Sequence, residues 1–315
     1  MSDRPIRIGT RGSRLALWQA QTVAALLERA GARTEIIRIK TGGDRLQTRP
    51  LSETGTKALF VKEIEDALLD NTVDVAVHSA KDMTVDVPER LEIAATLPRE
   101  DARDALVLPA DRPATDLGSA LAALSEGASI GTSSVRRIAQ LIPLLPGATF
   151  APIRGNVDTR LQKLDAGEFD ALILACAGMR RLGVGARINA ALAFETCVPA
   201  PGQGIIAIQI RRDDGRTRAA VEPLHDPAAG RALTAERAVV EALGGGCQLP
   251  LGVIAVHDAG ELDVQAVVIS LDGATVIRAR RRGPFDKPLV LGRQLASDLT
   301  SAGAGEVLEA VRRAQ

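Results

Sequence analysis

Along most of the chain, short apolar runs of strand length alternate with stretches whose apolar residues recur at helical spacing. Ile6 to Gly9 reads as a short strand. Ser13 stands where it can cap a helix with Leu15, Trp18, Val23 and Leu26 along it, and Gly31 ends that helix before a strand from Glu35 to Ile39. A second helix is predicted over Lys57 to Leu69, with Phe60, Ile64, Ala67 and Leu68 on one face, followed by a buried strand from Val73 to Val77. Strands Leu91 to Leu97 and Asp104 to Leu108 enclose the polar run Pro98-Arg99-Glu100-Asp101. Asp111-Arg112-Pro113 then marks a crossing between domains.

The next block repeats this architecture without an exact sequence repeat: strand Ser129 to Gly131, helix Val135 to Leu144, helix Val157 to Asp165 and strand Ala171 to Ala175. Pro199-Ala200-Pro201-Gly202-Gln203-Gly204 interrupts it before an apolar strand from Ile205 to Ile210. Past Asp226 the order changes to a helix Thr234 to Leu243, strands near Leu249 to Val256, Leu262 to Ser270 and Thr275 to Arg282, and a last helical region from Leu289. The expected class is α/β, with a small α+β domain at the carboxyl end.

At 315 residues and 46% hydrophobic content the chain has material for more than one core. Lys+Arg and Asp+Glu balance at 39 each, so no global field favours nucleic acid or an acidic membrane, and any anion site must be local. With no Tyr, one Trp and five Phe, stacking platforms for single-stranded nucleic acid are missing. No apolar run is long enough to cross a bilayer, and Met1-Ser2-Asp3-Arg4-Pro5 has no apolar signal core. Cys176, Cys197 and Cys247 are widely spaced and in no metal-ligand pattern, which fits a reducing, cytoplasmic setting.

Arginines outnumber lysines 33 to six, and their positions suggest anion sites. In Gly131-Thr132-Ser133-Ser134-Val135-Arg136-Arg137 the hydroxyls sit at a helix start, whose free N–H groups hold anions. Cations in that first turn oppose the helix dipole, so something negative should compensate them. Arg154-Gly155-Asn156-Val157-Asp158-Thr159-Arg160 repeats the device, although Asp158 offers Arg160 a local partner. Thr10-Arg11-Gly12-Ser13 is a third such turn. The strand before His78-Ser79-Ala80-Lys81-Asp82-Met83 delivers a cation and a carboxylate together; Asp82 reads either as a proton carrier or as a turn residue capping its own backbone. Gly244-Gly245-Gly246 leaves space around Cys247, which suits a covalent adduct better than burial. His78, His225 and His257 form no recognised pairing with it, against a cysteine hydrolase. A carboxylate-binding protein without catalysis would need the arginines but neither Asp82 nor Cys247.

Taken in order, Gly9-Thr10-Arg11-Gly12-Ser13, Leu17-Trp18-Gln19-Ala20, Leu59-Phe60-Val61-Lys62-Glu63, Val77-His78-Ser79-Ala80-Lys81-Asp82, Gly131 to Arg137, Arg154 to Val157, Gly202-Gln203-Gly204 and Gly246-Cys247-Gln248 resemble the porphobilinogen deaminase (hydroxymethylbilane synthase) family nearly end to end. The resemblance implies two α/β domains like those of type 2 periplasmic binding proteins, 1–104 with a return segment 201–223 and 105–200, and a cysteine-bearing domain 224–315. It implies a monomer that uses neither metal, membrane nor nucleic acid. A dipyrromethane cofactor, held by a thioether to Cys247, would prime the successive addition of four porphobilinogen units with release of ammonia. Asp82 would protonate the leaving amine and stabilise the azafulvenium-like cation. Arg11, Ser13, Lys57, Ser79, Lys81, Asp82, Thr132, Ser133, Ser134, Arg136, Arg137, Arg154, Gly155 and Arg160 would hold the cofactor, and Arg11, Arg154, Arg160, Arg181 and Gln203 the substrate. One stretch departs: many relatives carry a lysine where Glu53 stands and glycines at Thr56 and Ala58.

Overall fold

The computed structural model describes residues 4–40, 58–245 and 249–314, so Lys57, Cys247 and the stretch around Glu53 lie outside the described residues. Contacts divide the chain into two compact units, residues 1–99 with 205–231 and residues 100–204 with 232–315.

In the first unit, strands β1 (Ile6–Thr10), β2 (Thr34–Arg38), β3 (Val75–Ser79), β4 (Leu91–Thr96) and β10 (Ile206–Arg211) form one sheet in the order β2-β1-β3-β10-β4. β1 runs parallel to β2 and β3, whereas β10 is antiparallel to β3 and β4. Successive strand side chains point to opposite faces, so one face is covered by Ala20, Val23 and Leu27 of the helix Arg14–Arg29, against Ile8, Val75 and Val77. On the other, Ile64 and Leu68 of the helix Ala58–Leu69 pack with Ala76 and Leu91.

The second unit repeats the plan. Strands β5 (Asp104–Val107), β6 (Ser129–Gly131), β7 (Thr149–Ala151), β8 (Ala171–Ala175) and β9 (Ala190–Ala191) lie in the order β7-β6-β8-β5-β9, with β6 parallel to β7 and β8 and β5 antiparallel to β8 and β9. In each sheet a parallel trio meets one antiparallel strand contributed by a crossing segment. The two sheets thus share one strand order, and the class is the α/β one expected. The antiparallel sheet β11 (Leu251–Asp258), β12 (Glu261–Ile269), β13 (Val276–Pro284) completes the unit with the helices Pro288–Ser301 and Ala304–Ala314.

Of the boundaries that differ from the sequence reading, three have a local physical cause. The helix from Val135 ends at Leu141, with Ile142 still in helical backbone as its cap, because Pro143 has no N–H to carry the hydrogen-bond ladder further. The helix expected from Thr234 begins at Pro227, where Asp226 accepts from the Ala229 N–H at 2.7 Å and proline suits a first helical position. The final helical region is two helices, separated at Gly303, whose φ of 94° is open to glycine.

Candidate functional site

The chemistry-bearing residues of the first unit collect at the carboxyl ends of β1 and β3. β1 ends in buried Thr10, the chain turns through Arg11 and Gly12, and Ser13 caps the next helix by accepting from the Ala16 N–H at 3.3 Å. β3 ends at Ser79, whose Oγ accepts from Gln19 Nε2 at 2.8 Å, and a single tight turn, Ala80–Asp82, follows. The Ala80 N–H is held by the Ile205 carbonyl at 2.9 Å. Arg11, Ser13, Gln19, His78, Ser79 and Asp82 thereby line one small pocket of about 80 Å³, floored by Val61, Ile64 and Val77. Asp82 has no ion-pair partner among the described residues. A carboxylate so placed can move a proton or face a cation.

In the second unit the same strand positions carry hydroxyls and arginines. After β6, Ser134 caps the helix Val135–Leu141, accepting from the Arg137 N–H at 3.4 Å, and its own N–H reaches Thr132 Oγ1 at 3.3 Å. Ser133 Oγ donates to the Ile153 carbonyl at 3.0 Å and accepts its N–H at 3.1 Å, fastening this turn to the one after β7. There Asn156 caps the helix Val157–Asp165, and Arg160 Nε donates to the Gly155 carbonyl at 2.8 Å. Gly155 sits at φ 107°, and a Cβ would stand 2.8 Å from Thr159 Cγ2. Arg154 and Arg160 are half-buried. After β8, Arg181 donates to the Gly204 carbonyl at 2.6 Å; burial brings its basicity down to about 10, opposed by the charge of Glu100.

The anion that the helix-dipole argument required for Arg136 and Arg137 belongs to the chain itself. Both guanidinium groups are buried, at 5% and 7% exposure, and meet the fully buried carboxylate of Asp104 at 2.8 and 2.7 Å. Arg136 also donates to the Val198 carbonyl and Arg137 to that of Ile173, each at 2.7 Å. Burial alone would push the Asp104 carboxyl up, but the attraction and hydrogen bonds of the two arginines hold it well below the usual carboxylate range. Both side chains therefore point inward, onto Asp104. Gln203 is buried too, its Nε2 donating to the Ala102 carbonyl at 2.7 Å and to Asp104 at 3.0 Å. Asp104 was missed, although a charged residue opening an otherwise apolar strand was a signal. Cys176 and Cys197 are buried, and burial raises both thiols to about 12, which leaves them inert.

Two cations on one carboxylate leave a net positive charge beneath the hydroxyl-rich turn after β6, suited to a ligand that brings carboxylates. A family model described as porphobilinogen deaminase, dipyromethane cofactor binding domain, matches residues 6–219, and that of the C-terminal domain of porphobilinogen deaminase matches residues 231–301. The chain belongs to the porphobilinogen deaminase family. The porphobilinogen deaminase of Syntrophobacter fumaroxidans is 46% identical over 316 residues, covering 100% of both chains. Those of Bordetella parapertussis and Bordetella bronchiseptica are 46% identical over 305 residues, 96% of this chain and 95% of each relative. Among solved structures, the methionine binding protein MetQ is similar at a TM-score of 0.45 and 11% identity, covering 71% of this chain and 90% of that one. Among the described residues no helix is long and apolar enough to cross a membrane, and no three His, Cys, Asp or Glu are grouped to hold a metal.

Proposed function

We propose that the chain is a transferase, a hydroxymethylbilane synthase, that condenses four porphobilinogen molecules head to tail and releases ammonia at each addition. The single observation that carries this reading is the pocket in which Asp82 shares walls with Arg11, Ser13 and Ser79, in a chain matched by the family's models over both parts. When bound, the dipyrromethane supplies the primer on which the product grows. Cys247 would hold it by a thioether, and Lys57, Lys81, Thr132, Ser133, Ser134, Arg136, Arg137, Arg154, Gly155 and Arg160 would bind its acid arms together with the walls of the Asp82 pocket.

Each pyrrole brings two carboxylates, so the growing chain accumulates negative charge that guanidinium forks offset. The residual positive charge around Asp104 supports a cofactor role for Arg136 and Arg137 even though both side chains face inward. Asp82 would give its proton to the amine nitrogen that leaves porphobilinogen, and its anion would then stabilise the cation left on the ring. Arg11, Arg154, Arg160, Arg181 and Gln203 would orient substrate acid groups. We place residues 224–315 in a third, cysteine-bearing domain, and take the protein to be cytoplasmic and monomeric.

Intact mass tests the reading. The natively purified chain should exceed its sequence mass by one dipyrromethane and give a coloured product with an acidic aldehyde reagent for pyrroles. An unmodified chain that stays inactive with porphobilinogen would make it a carboxylate-binding protein instead.

A further inference from the structure

Beneath the Asp82 pocket lies a buried polar chain that the reaction as described does not use. His78 on β3, Gln209 on β10 and Glu65 on the helix Ala58–Leu69 are 5%, 0% and 8% exposed. Gln209 Nε2 donates to Glu65 Oε1 at 2.7 Å, and Gln209 Oε1 lies 3.0 Å from His78 Nε2. The carboxyl oxygen accepts in this bond, so Glu65 fixes which end of the amide faces it. The amide oxygen is thereby left facing the imidazole, and it too only accepts. His78 must therefore carry its proton on Nε2.

Such a chain is costly for stability alone. Three buried polar side chains lose hydration that their mutual hydrogen bonds only partly offset, and apolar side chains of similar volume would pack here at less cost. Its position suggests what it serves, because His78 lines the same pocket as Asp82 and feels that carboxylate's charge. An imidazolium there would pair with Asp82 and cancel the field it offers a cation.

We propose that Glu65, Gln209 and His78 form a positioning chain for Asp82, keeping the imidazole beside it uncharged and in one tautomer so that the carboxylate stays available to the substrate. This rests on the reading of Asp82 as the proton donor. Among the described residues, the titratable groups around the imidazole are Asp82 in the turn after β3, Glu65 beyond Gln209, and Arg11 in the turn after β1, while β10 presents the neutral amide of Gln209. Burial draws the His78 imidazole down to about 4, against the opposing pull of the Gln209 hydrogen bond and the Asp82 charge.

The test uses the cofactor-bearing enzyme, whose three histidines give few imidazole signals in nitrogen-edited NMR. In the unaltered protein the His78 signals should show a single Nε2–H tautomer and no titration between about pH 5 and 8. Gln209→Glu places a carboxylate at the Nε2 proton; His78 should then titrate in that window. Turnover at the acid end should fall about tenfold, with KM and cofactor mass held. Should Gln209→Glu not fold, Glu65→Gln frees the amide to turn. The nitrogen shifts should then report mixed tautomers, with turnover down about threefold and KM held. The proposal is overturned if His78 titrates as an ordinary imidazole in the unaltered enzyme, or if either variant changes the imidazole and leaves turnover at every pH where it was. Failure of the Asp82 reading shows separately, as near-normal turnover of Asp82→Asn.

Discussion

Arg137 meets Asp104 through two nitrogens, Nε at 3.1 Å and Nη2 at 2.7 Å from Oδ1, across 33 residues of sequence. Arg136 takes the other carboxylate oxygen at 2.8 Å, so a single anion neutralises one of two buried cations. Removing that anion should be far more damaging than removing an exposed one. Asp104→Asn is expected to lower unfolding free energy by about 3–5 kcal/mol, read from urea denaturation. Asp104→Asn combined with Arg136→Met should recover part of that loss, since only one guanidinium then lacks a counter-charge. A double variant no more stable than the single one would show that charge is not the cause.

Asp82 makes no ion pair among the described residues, so its replacement should leave packing intact. Asp82→Asn is expected to keep the denaturation midpoint and the covalently bound cofactor but to reduce turnover of porphobilinogen by about a hundredfold or more. Cofactor content by mass and steady-state rates decide it together. A variant without cofactor would place Asp82 in assembly rather than in chemistry.

Strand, turn and cap grammar made the half-sites legible. Ser13, Ser134 and Asn156 act as the N-caps that their spacing indicated, and the turns they open hold the candidate arginines. What stayed hidden was pairing at long range. β10 lies between β3 and β4 although its residues follow β3 by more than a hundred positions, and side-chain periodicity says nothing about which strand a run will join. The inward turn of Arg136 and Arg137 was invisible for the same reason, because their partner opens a different strand. Gln209 and Glu65 sat within runs that read as ordinary strand and helix.

Acid should weaken the fold in two stages. His78, drawn by burial from an ordinary 6.5 to about 4, is neutral in the fold, so its contribution is complete above 6.5 and fades as pH falls towards 4. Asp74 is held at about 2, below its ordinary 3.8: burial raises it, but hydrogen bonds and charge from Arg7, with Arg4, outweigh that. Its contribution is complete above 3.8 and is lost as pH falls through about 2. Thermal midpoints measured against pH should therefore begin to drop between 6.5 and 4, and fall again below 3.8. His78→Gln should flatten the first stage and leave the second. Persistence of the first stage in that variant would assign it to another group.

Gly155 offers the most local test of the second half-site. At φ 107° an L side chain is strained, and the added Cβ would stand 2.8 Å from Thr159 Cγ2, in the turn where Asn156 accepts from the Thr159 N–H at 3.0 Å. Gly155→Ala is therefore expected to cost about 1–3 kcal/mol and to displace the Gly155 carbonyl that holds Arg160 Nε at 2.8 Å. If Arg154 and Arg160 grip substrate acid groups, KM for porphobilinogen should rise while turnover at saturation changes less. A loss of stability with unchanged KM would leave this turn a structural corner and move the substrate contacts to Arg11 and Arg181.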